Sequence, residues 1–396
     1  MRPLAARMSR LGTETAFEVL AKARALEAKG RDVVHLEIGE PDFDTPPGIV
    51  AAGVAALERG ETHYTPSAGV VELREAIAAY LLARRGVRAD PSQVIVTPGA
   101  KPIMFYALLA LLDDGDEAIY PDPGFPIYSS MIDFAGARGI PLALREANGF
   151  QPDLAELERL VSSRTKVLVL NSPNNPTGAV LSRDAIREIA RIAREHDLWV
   201  LTDEIYGELV YDGEHRSIAL EDGMSERTIL LDGFSKTFAM TGWRLGYGVF
   251  PRALVEPVAK LVTNSVSCTA TFVQRAGTAA LASRPPEVDR MIAEFRRRRD
   301  AVVRGLSAIP GVTCRLPQGA FYAFPNVRAL GLRSSAEVAD RLLNEAGVAT
   351  LAGTCFGTAG EGYLRLSYAN SLENLNKAVS RIADWASRLA PIPTSR

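Results

Sequence analysis

Four short segments carry residues whose types and spacing could do chemistry. Asn171-Ser-Pro-Asn-Asn-Pro-Thr-Gly178 follows one predicted strand, Asp203-Glu-Ile-Tyr206 a second, and Gly233-Phe-Ser-Lys-Thr-Phe238 a third. Arg244 comes eight residues after Lys236, just before a fourth strand. Ligands of open α/β sheets bind outside the carboxyl ends of the strands. One Asn, one Asp, one Tyr, one Ser, one Lys and one Arg therefore converge on a single rim. Each is bland alone, since an Asp after a strand is commonly a helix cap and a lone Lys is commonly solvated. Together they describe a pocket for a planar, anionic, electrophilic ligand.

The elements that must position them read as an α/β fold with a large, mostly parallel sheet. Helices are predicted over 14–29, 48–59, 70–85, 102–112 and 183–196, and strands over 94–97, 118–120, 166–170, 199–202, 228–231 and 245–249. Several of these strands are continuous apolar runs, as a sheet covered by helices on both faces requires. A short strand over 33–38 leads into the turn-rich Gly39-Glu-Pro-Asp-Phe-Asp-Thr-Pro46. After residue 282 the texture changes. A charged helix runs from the Pro285-Pro286 pair to 307, then a strand over 319–324, a helix over 335–346, a strand over 363–367 and a last helix. The predicted division is a large domain over 46–284 and a smaller α+β domain built from both chain ends, 1–45 and 285–396.

Composition excludes several classes. The 396 residues hold 45 Lys and Arg against 47 Asp and Glu, a net charge of −2, so no field favours nucleic acid. The basic run Arg296-Arg-Arg-Arg299 spreads around a helix and reads as a solvated surface. Three scattered cysteines and four scattered histidines give neither a disulfide framework nor a metal site, which fits the cytoplasm. No stretch approaches the 18 or so apolar residues of a membrane span. The first ten residues hold three arginines without an apolar core and read as a short basic arm, and 388–396 as a frayed tail. Gly242, Gly246 and Gly248 have the wrong order and context for a dinucleotide fingerprint.

Six motifs, in order, resemble the class I aminotransferases, the fold-type-I pyridoxal-phosphate enzymes, and the aspartate-aminotransferase-like bacterial branch most. They are Gly39-Glu-Pro-Asp-Phe, His63-Tyr-Thr-Pro-Ser-Ala-Gly69, Ser172-Pro-Asn-Asn-Pro-Thr-Gly178, Asp203-Glu-Ile-Tyr206, Ser235-Lys-Thr-Phe-Ala-Met-Thr-Gly-Trp-Arg-Leu-Gly246 and Arg365-Leu-Ser. The resemblance implies that Lys236 carries pyridoxal 5′-phosphate as a covalent imine and, once freed, acts as the base. It implies that Asp203 faces the ring nitrogen, that Asn175 and Tyr206 donate to the ring's phenolate oxygen, and that Ser235 and Arg244 hold the phosphate. Gly99-Ala-Lys101 opens a helix, with Pro102 in its first turn, so the backbone N–H groups of Ala100 and Lys101 would meet the phosphate. Phe125 takes the place of the ring-stacking aromatic, where many relatives carry Trp or Tyr. Arg365, with the backbone of Gly39 and with Asn175, would bind the substrate α-carboxylate. Tyr64 would reach the phosphate of a neighbouring subunit, which implies a homodimer with shared active sites.

The implied reaction is transfer of an amino group from an L-amino acid to a 2-oxo acid such as 2-oxoglutarate. Lys101 matches a lysine associated with distal-carboxylate recognition, giving a slight preference for Asp and Glu donors. Glu14 argues the other way, because its carboxylate would repel a second one unless a cation intervenes; Thr13 or Thr15 stands as the alternative at that place. A lyase or a specialised biosynthetic enzyme on the same fold could use the same Lys236 and Asp203. A regulator with an aminotransferase-like sensor domain would need a DNA-binding module for which no residues remain.

Overall fold

The computed structural model describes residues 2–389, so 390–396 of the expected tail lie outside the described residues. The strands in chain order are β1 (Val34–His35), β2 (Val94–Thr97), β3 (Glu117–Asp122), β4 (Arg138–Ala143), β5 (Thr165–Asn171) and β6 (Trp199–Asp203). They continue with β7 (Thr228–Gly233), β8 (Gly246–Val249), β9 (Tyr322–Ala323), β10 (Val348–Ala349), β11 (Leu351–Ala352) and β12 (Leu364–Ser367). The first helices are α1 (Ala16–Glu27), α2 (Pro47–Glu58), α3 (Val71–Arg85), α4 (Lys101–Leu111) and α5 (Ile127–Ala135).

One seven-stranded sheet, ordered β2-β8-β7-β6-β5-β3-β4, forms the frame. β8 runs antiparallel to β2 and to β7, and the remaining neighbours are parallel. The expected mostly parallel sheet is present. Its strands are apolar throughout because both faces are covered. Val167, Val169 and Leu201 pack under α4 and α5, while Leu168, Leu170 and Val200 pack under the helix Arg183–Glu195. Successive residues of a strand point to opposite faces, so each face receives its own apolar set.

This topology delivers the carboxyl ends of β2, β3, β5, β6 and β7 to one rim. The reversed direction of β8 brings its start there too, with Gly246 beside Gly233. Away from this sheet, β1 pairs in parallel with β10, and β11, β12 and β9 form a second sheet. The helices Pro286–Ser307 and Leu372–Ser387 pack on it around Phe295, Leu306, Leu375 and Trp385. Residues from the two chain ends thus meet at β1 and β10. The turn Ala6–Arg10 instead lies against α5, and Gly12 donates its N–H to Ser130 Oγ at 2.9 Å.

Several expectations change. The strand expected over 319–324 is only β9, and the helix over 335–346 ends in a π turn over Leu342–Ala346. The basic run is not a solvated face. Arg296 and Arg297 are exposed, but Arg298 and Arg299 are buried. Arg298 pairs with Asp42 at 2.6 Å and stacks over Phe43, and Arg299 pairs with Asp212 and Asp300. The run therefore pins the loop before α2 onto the helix, because a buried guanidinium must be paired. No helix among the described residues is long and apolar enough to cross a membrane.

Candidate active site

The rim opens into a cavity of about 520 Å³. Its wall includes Gly39, Ala100, Lys101, Phe125, Asn175, Asp203, Tyr206, Ser235, Lys236, Arg244 and Arg365, so the structure brings together every expected site residue except Tyr64. Tyr64 is 88% exposed and lies outside the cavity of its own chain.

Lys236 sits three residues beyond β7, and its Nζ donates to the Gly39 carbonyl at 2.5 Å. Burial, aided by Arg365 and Lys101 and opposed by Glu40 and Glu14, lowers its ammonium to about 8. The amine is therefore within reach of its free-base form near neutral pH.

Asp203 ends β6 and is buried. Its Oδ2 accepts the Tyr128 hydroxyl at 2.7 Å and its Oδ1 the Ile205 N–H at 3.2 Å. Burial raises the carboxyl to about 6 in spite of these two bonds, with Asp232 and Glu204 adding to the rise. A carboxyl in this state takes up a cationic N–H readily, because pairing supplies the charge that burial removes from water. Tyr206 shares a 2.7 Å hydrogen bond with Tyr322, and burial keeps its phenol protonated, available as a donor.

A group of donors suited to an anion also lines the cavity. α4 begins at Lys101 with no side-chain cap, leaving its first N–H groups free for a ligand. Gly99 has φ +84°, and a Cβ there would fall 2.2 Å from an Arg244 guanidinium nitrogen, so only glycine admits this approach. Arg244 itself donates to the Thr241 carbonyl at 2.8 Å, and Ser235 is buried beside it on the wall.

Arg365 is buried on β12, with its guanidinium 4.6 Å from the Tyr322 ring and 4.9 Å from the Phe356 ring. It donates to the Glu37 carbonyl and, at 3.4 Å, to Asn175 Oδ1, while its Nε has no partner among the described residues. The residue lines the cavity beside Asn175, where its guanidinium fork suits an incoming carboxylate. Gly39 makes room here too, since a Cβ would lie 2.3 Å from the Tyr322 hydroxyl.

Glu14 lines the cavity and pairs with Lys101, whereas neither Thr13 nor Thr15 does. The cation that the sequence required beside Glu14 is thus Lys101 itself. Sequence reasoning gave no role to Tyr128, Tyr322 or Ile205. A signal did exist for the tyrosines, since a buried phenol needs a polar partner.

The comparisons with known proteins agree with this geometry. The family model described as aminotransferase class I and II matches residues 31–382. The aspartate aminotransferase of Musicola paradisiaca is 40% identical over 97% of this chain and 96% of its own. Aromatic-amino-acid aminotransferase 2 of Thermococcus litoralis is 43% identical over 88% of this chain and 90% of its own. Among solved structures, the aspartate aminotransferase from Thermus thermophilus with maleate is 40% identical, with a TM-score of 0.93 over 97% of this chain and 100% of that one. With the motifs, the fold and the relatives in accord, the chain belongs to the class I and II aminotransferases and is a pyridoxal-phosphate-dependent transaminase of fold type I.

Proposed function

We propose that the enzyme moves the amino group of an L-amino acid to a 2-oxo acid such as 2-oxoglutarate, with pyridoxal 5′-phosphate attached covalently to Lys236. The observation that carries this is the convergence of an amine lowered to about 8 at Lys236 and a carboxyl raised to about 6 at Asp203 on one cavity. The residues present fit the cofactor. Arg244, Ser235 and the uncapped start of α4 suit its phosphate, Asp203 its ring nitrogen, Tyr206 and Asn175 its phenolate oxygen, and Phe125 its ring face.

When bound, pyridoxal phosphate supplies an electron sink for the pair released when the substrate Cα–H bond breaks. Asp203 would hold a proton on the ring nitrogen, and the Lys236 amine would carry the proton to and from the substrate Cα. Arg365 would bind the α-carboxylate with its guanidinium and so orient the Cα–H bond.

Lys101 supports the slight preference for Asp and Glu donors, with Glu14 as its counterion when no distal carboxylate is present. The exposed apolar stripe Val50, Val54 and Leu57 on α2, together with exposed Tyr64, supports a homodimer whose partner receives Tyr64. Division into 46–284 and the two chain ends rests on the separate cores around the large sheet and the helix Pro286–Ser307. Three unpaired cysteines support a cytoplasmic location.

A panel of amino donors tested with 2-oxoglutarate, followed spectrally, tests the reading. Donor alone should convert the cofactor to pyridoxamine phosphate with release of the matching 2-oxo acid. Pyruvate or another elimination product without pyridoxamine phosphate would instead identify a lyase.

A further inference from the structure

Behind the active site lies a buried ionic cluster that the reaction does not use. Arg85, the last residue of α3, reaches the rim with only 4% of its side chain exposed. Its Nη1 donates to Glu204 Oε2 at 3.0 Å and its Nη2 to Asp232 Oδ2 at 2.6 Å. Both carboxylates are buried, at 0% and 3% side-chain exposure. Glu204 also meets His215 at 2.8 Å and Ser217 at 2.6 Å, and Asp232 accepts the Tyr247 hydroxyl at 3.0 Å and the Gly233 N–H at 2.7 Å.

The positions of the two carboxylates are what matter. Glu204 directly follows Asp203, and Asp232 precedes Lys236 by four residues, one on each of the neighbouring strand ends β6 and β7. We propose that Arg85 is a positioning residue. One guanidinium bridges the two segments that carry the catalytic carboxylate and the catalytic lysine, and offsets part of the negative field of two buried carboxylates behind them. The inference rests on the roles given above to Asp203 and Lys236.

Geometry and charge support it together. The planar guanidinium holds its two partners at a fixed separation and orientation, which the point charge of a flexible ammonium does not impose. Burial raises the Asp232 carboxyl and Arg85 opposes that rise. Burial likewise pushes Glu204 up, but His215, Arg85 and Ser217 outweigh it and hold it at about 2. Arg85 thus offsets part of the cost of burying the two carboxylates. Asp203 is faced by Tyr128, Asp232 and Glu204, and Lys236 by Glu40, Arg365, Lys101 and Glu14. Removing Arg85 adds net negative charge behind both groups, whereas neutralising Glu204 adds net positive charge.

The test is the pH midpoint of the visible absorption band of the cofactor-loaded protein in R85Q and E204Q, with kcat and KM measured alongside. A negative field favours every nearby protonated form. The midpoint should therefore rise in R85Q and fall in E204Q, each by about half a pH unit or more, with kcat in R85Q down at least about tenfold. Damage to packing alone would not give opposite signs. If R85Q does not fold, the sign in E204Q decides, and R85K, which keeps the charge but loses the fork, should lower kcat more than it raises KM. Midpoints that move in the same direction, or both stay within about 0.2 pH unit of the parent, overturn the proposal, as does parental kcat in R85K. A parent protein with no visible band contradicts the functional reading itself and takes this inference with it.

Discussion

The Tyr128 hydroxyl donates to Asp203 Oδ2 at 2.7 Å inside a fully buried environment. This bond opposes the rise that burial imposes on the carboxyl, which still stands at about 6. It also fixes the orientation of the carboxylate, since the Ile205 N–H occupies the other oxygen. Asp203 is thus kept ionised and aimed by a residue on α5, a helix that contributes nothing else expected from the motifs.

Tyr128→Phe removes that donor while keeping the ring. A buried hydrogen bond to a charged group contributes about 1.5–3 kcal/mol, so kcat/KM should fall roughly 10- to 100-fold. The acid limb of its pH profile should move to higher pH, because Asp203 then gains its proton more easily. An unchanged limb measured across pH 5–8 would show that Tyr128 does not act on Asp203.

Asp203 carries a stability cost in the cofactor-free protein. Its folded value of about 6 lies above the ordinary carboxyl value of 3.8, so between those limits the folded chain keeps a proton that the unfolded chain loses. Stability from this group is full below about pH 4 and is lost as pH rises through about 6. Asp203→Asn should therefore stabilise the cofactor-free protein by about 2–3 kcal/mol at pH 7.5 and by almost nothing at pH 4. Urea unfolding at the two pH values reads this directly. The same variant should lose nearly all turnover.

The Glu14–Lys101 pair sets a side-chain preference. The pair is half-exposed, and pairs of this kind contribute about 0.2–1 kcal/mol. An acidic donor must draw Lys101 away from Glu14, whereas an aromatic donor leaves the pair intact. Glu14→Gln should raise kcat/KM for aspartate by up to about fivefold and leave that for phenylalanine unchanged. Equal effects on both donors would remove Lys101 from side-chain selection.

Much of this site was legible in the sequence because it lies in loops at strand ends. Asn175, Asp203, Ser235 and Lys236 each follow a continuous apolar run, and parallel sheets deliver such loops to one rim. The parts that were not legible depend on long-range packing. Tyr322 sits among apolar residues and Tyr128 near the start of a helix, and in both only the buried hydroxyl distinguishes a functional partner from core. β4 carries Arg138 and Pro141 at the sheet edge and shows no strand pattern, and the helix Arg252–Ser265 runs on through Pro257, a residue that reads as a helix breaker. Arg298 and Arg299 looked solvated because their partners, Asp42 and Asp212, are distant in sequence. Arg85 ended a predicted helix, and nothing local announces that its two carboxylates lie more than a hundred residues away.

The central claim is that Lys236 is the residue that carries the cofactor. Borohydride reduction of the loaded protein, followed by digestion and mass spectrometry, reads it most directly. The added pyridoxyl phosphate mass should lie on the peptide containing Lys236, and Lys236→Ala should remove that label and abolish turnover while the protein stays folded. A label on Lys101 or on any other lysine, or turnover near the parental rate in Lys236→Ala, would contradict the account.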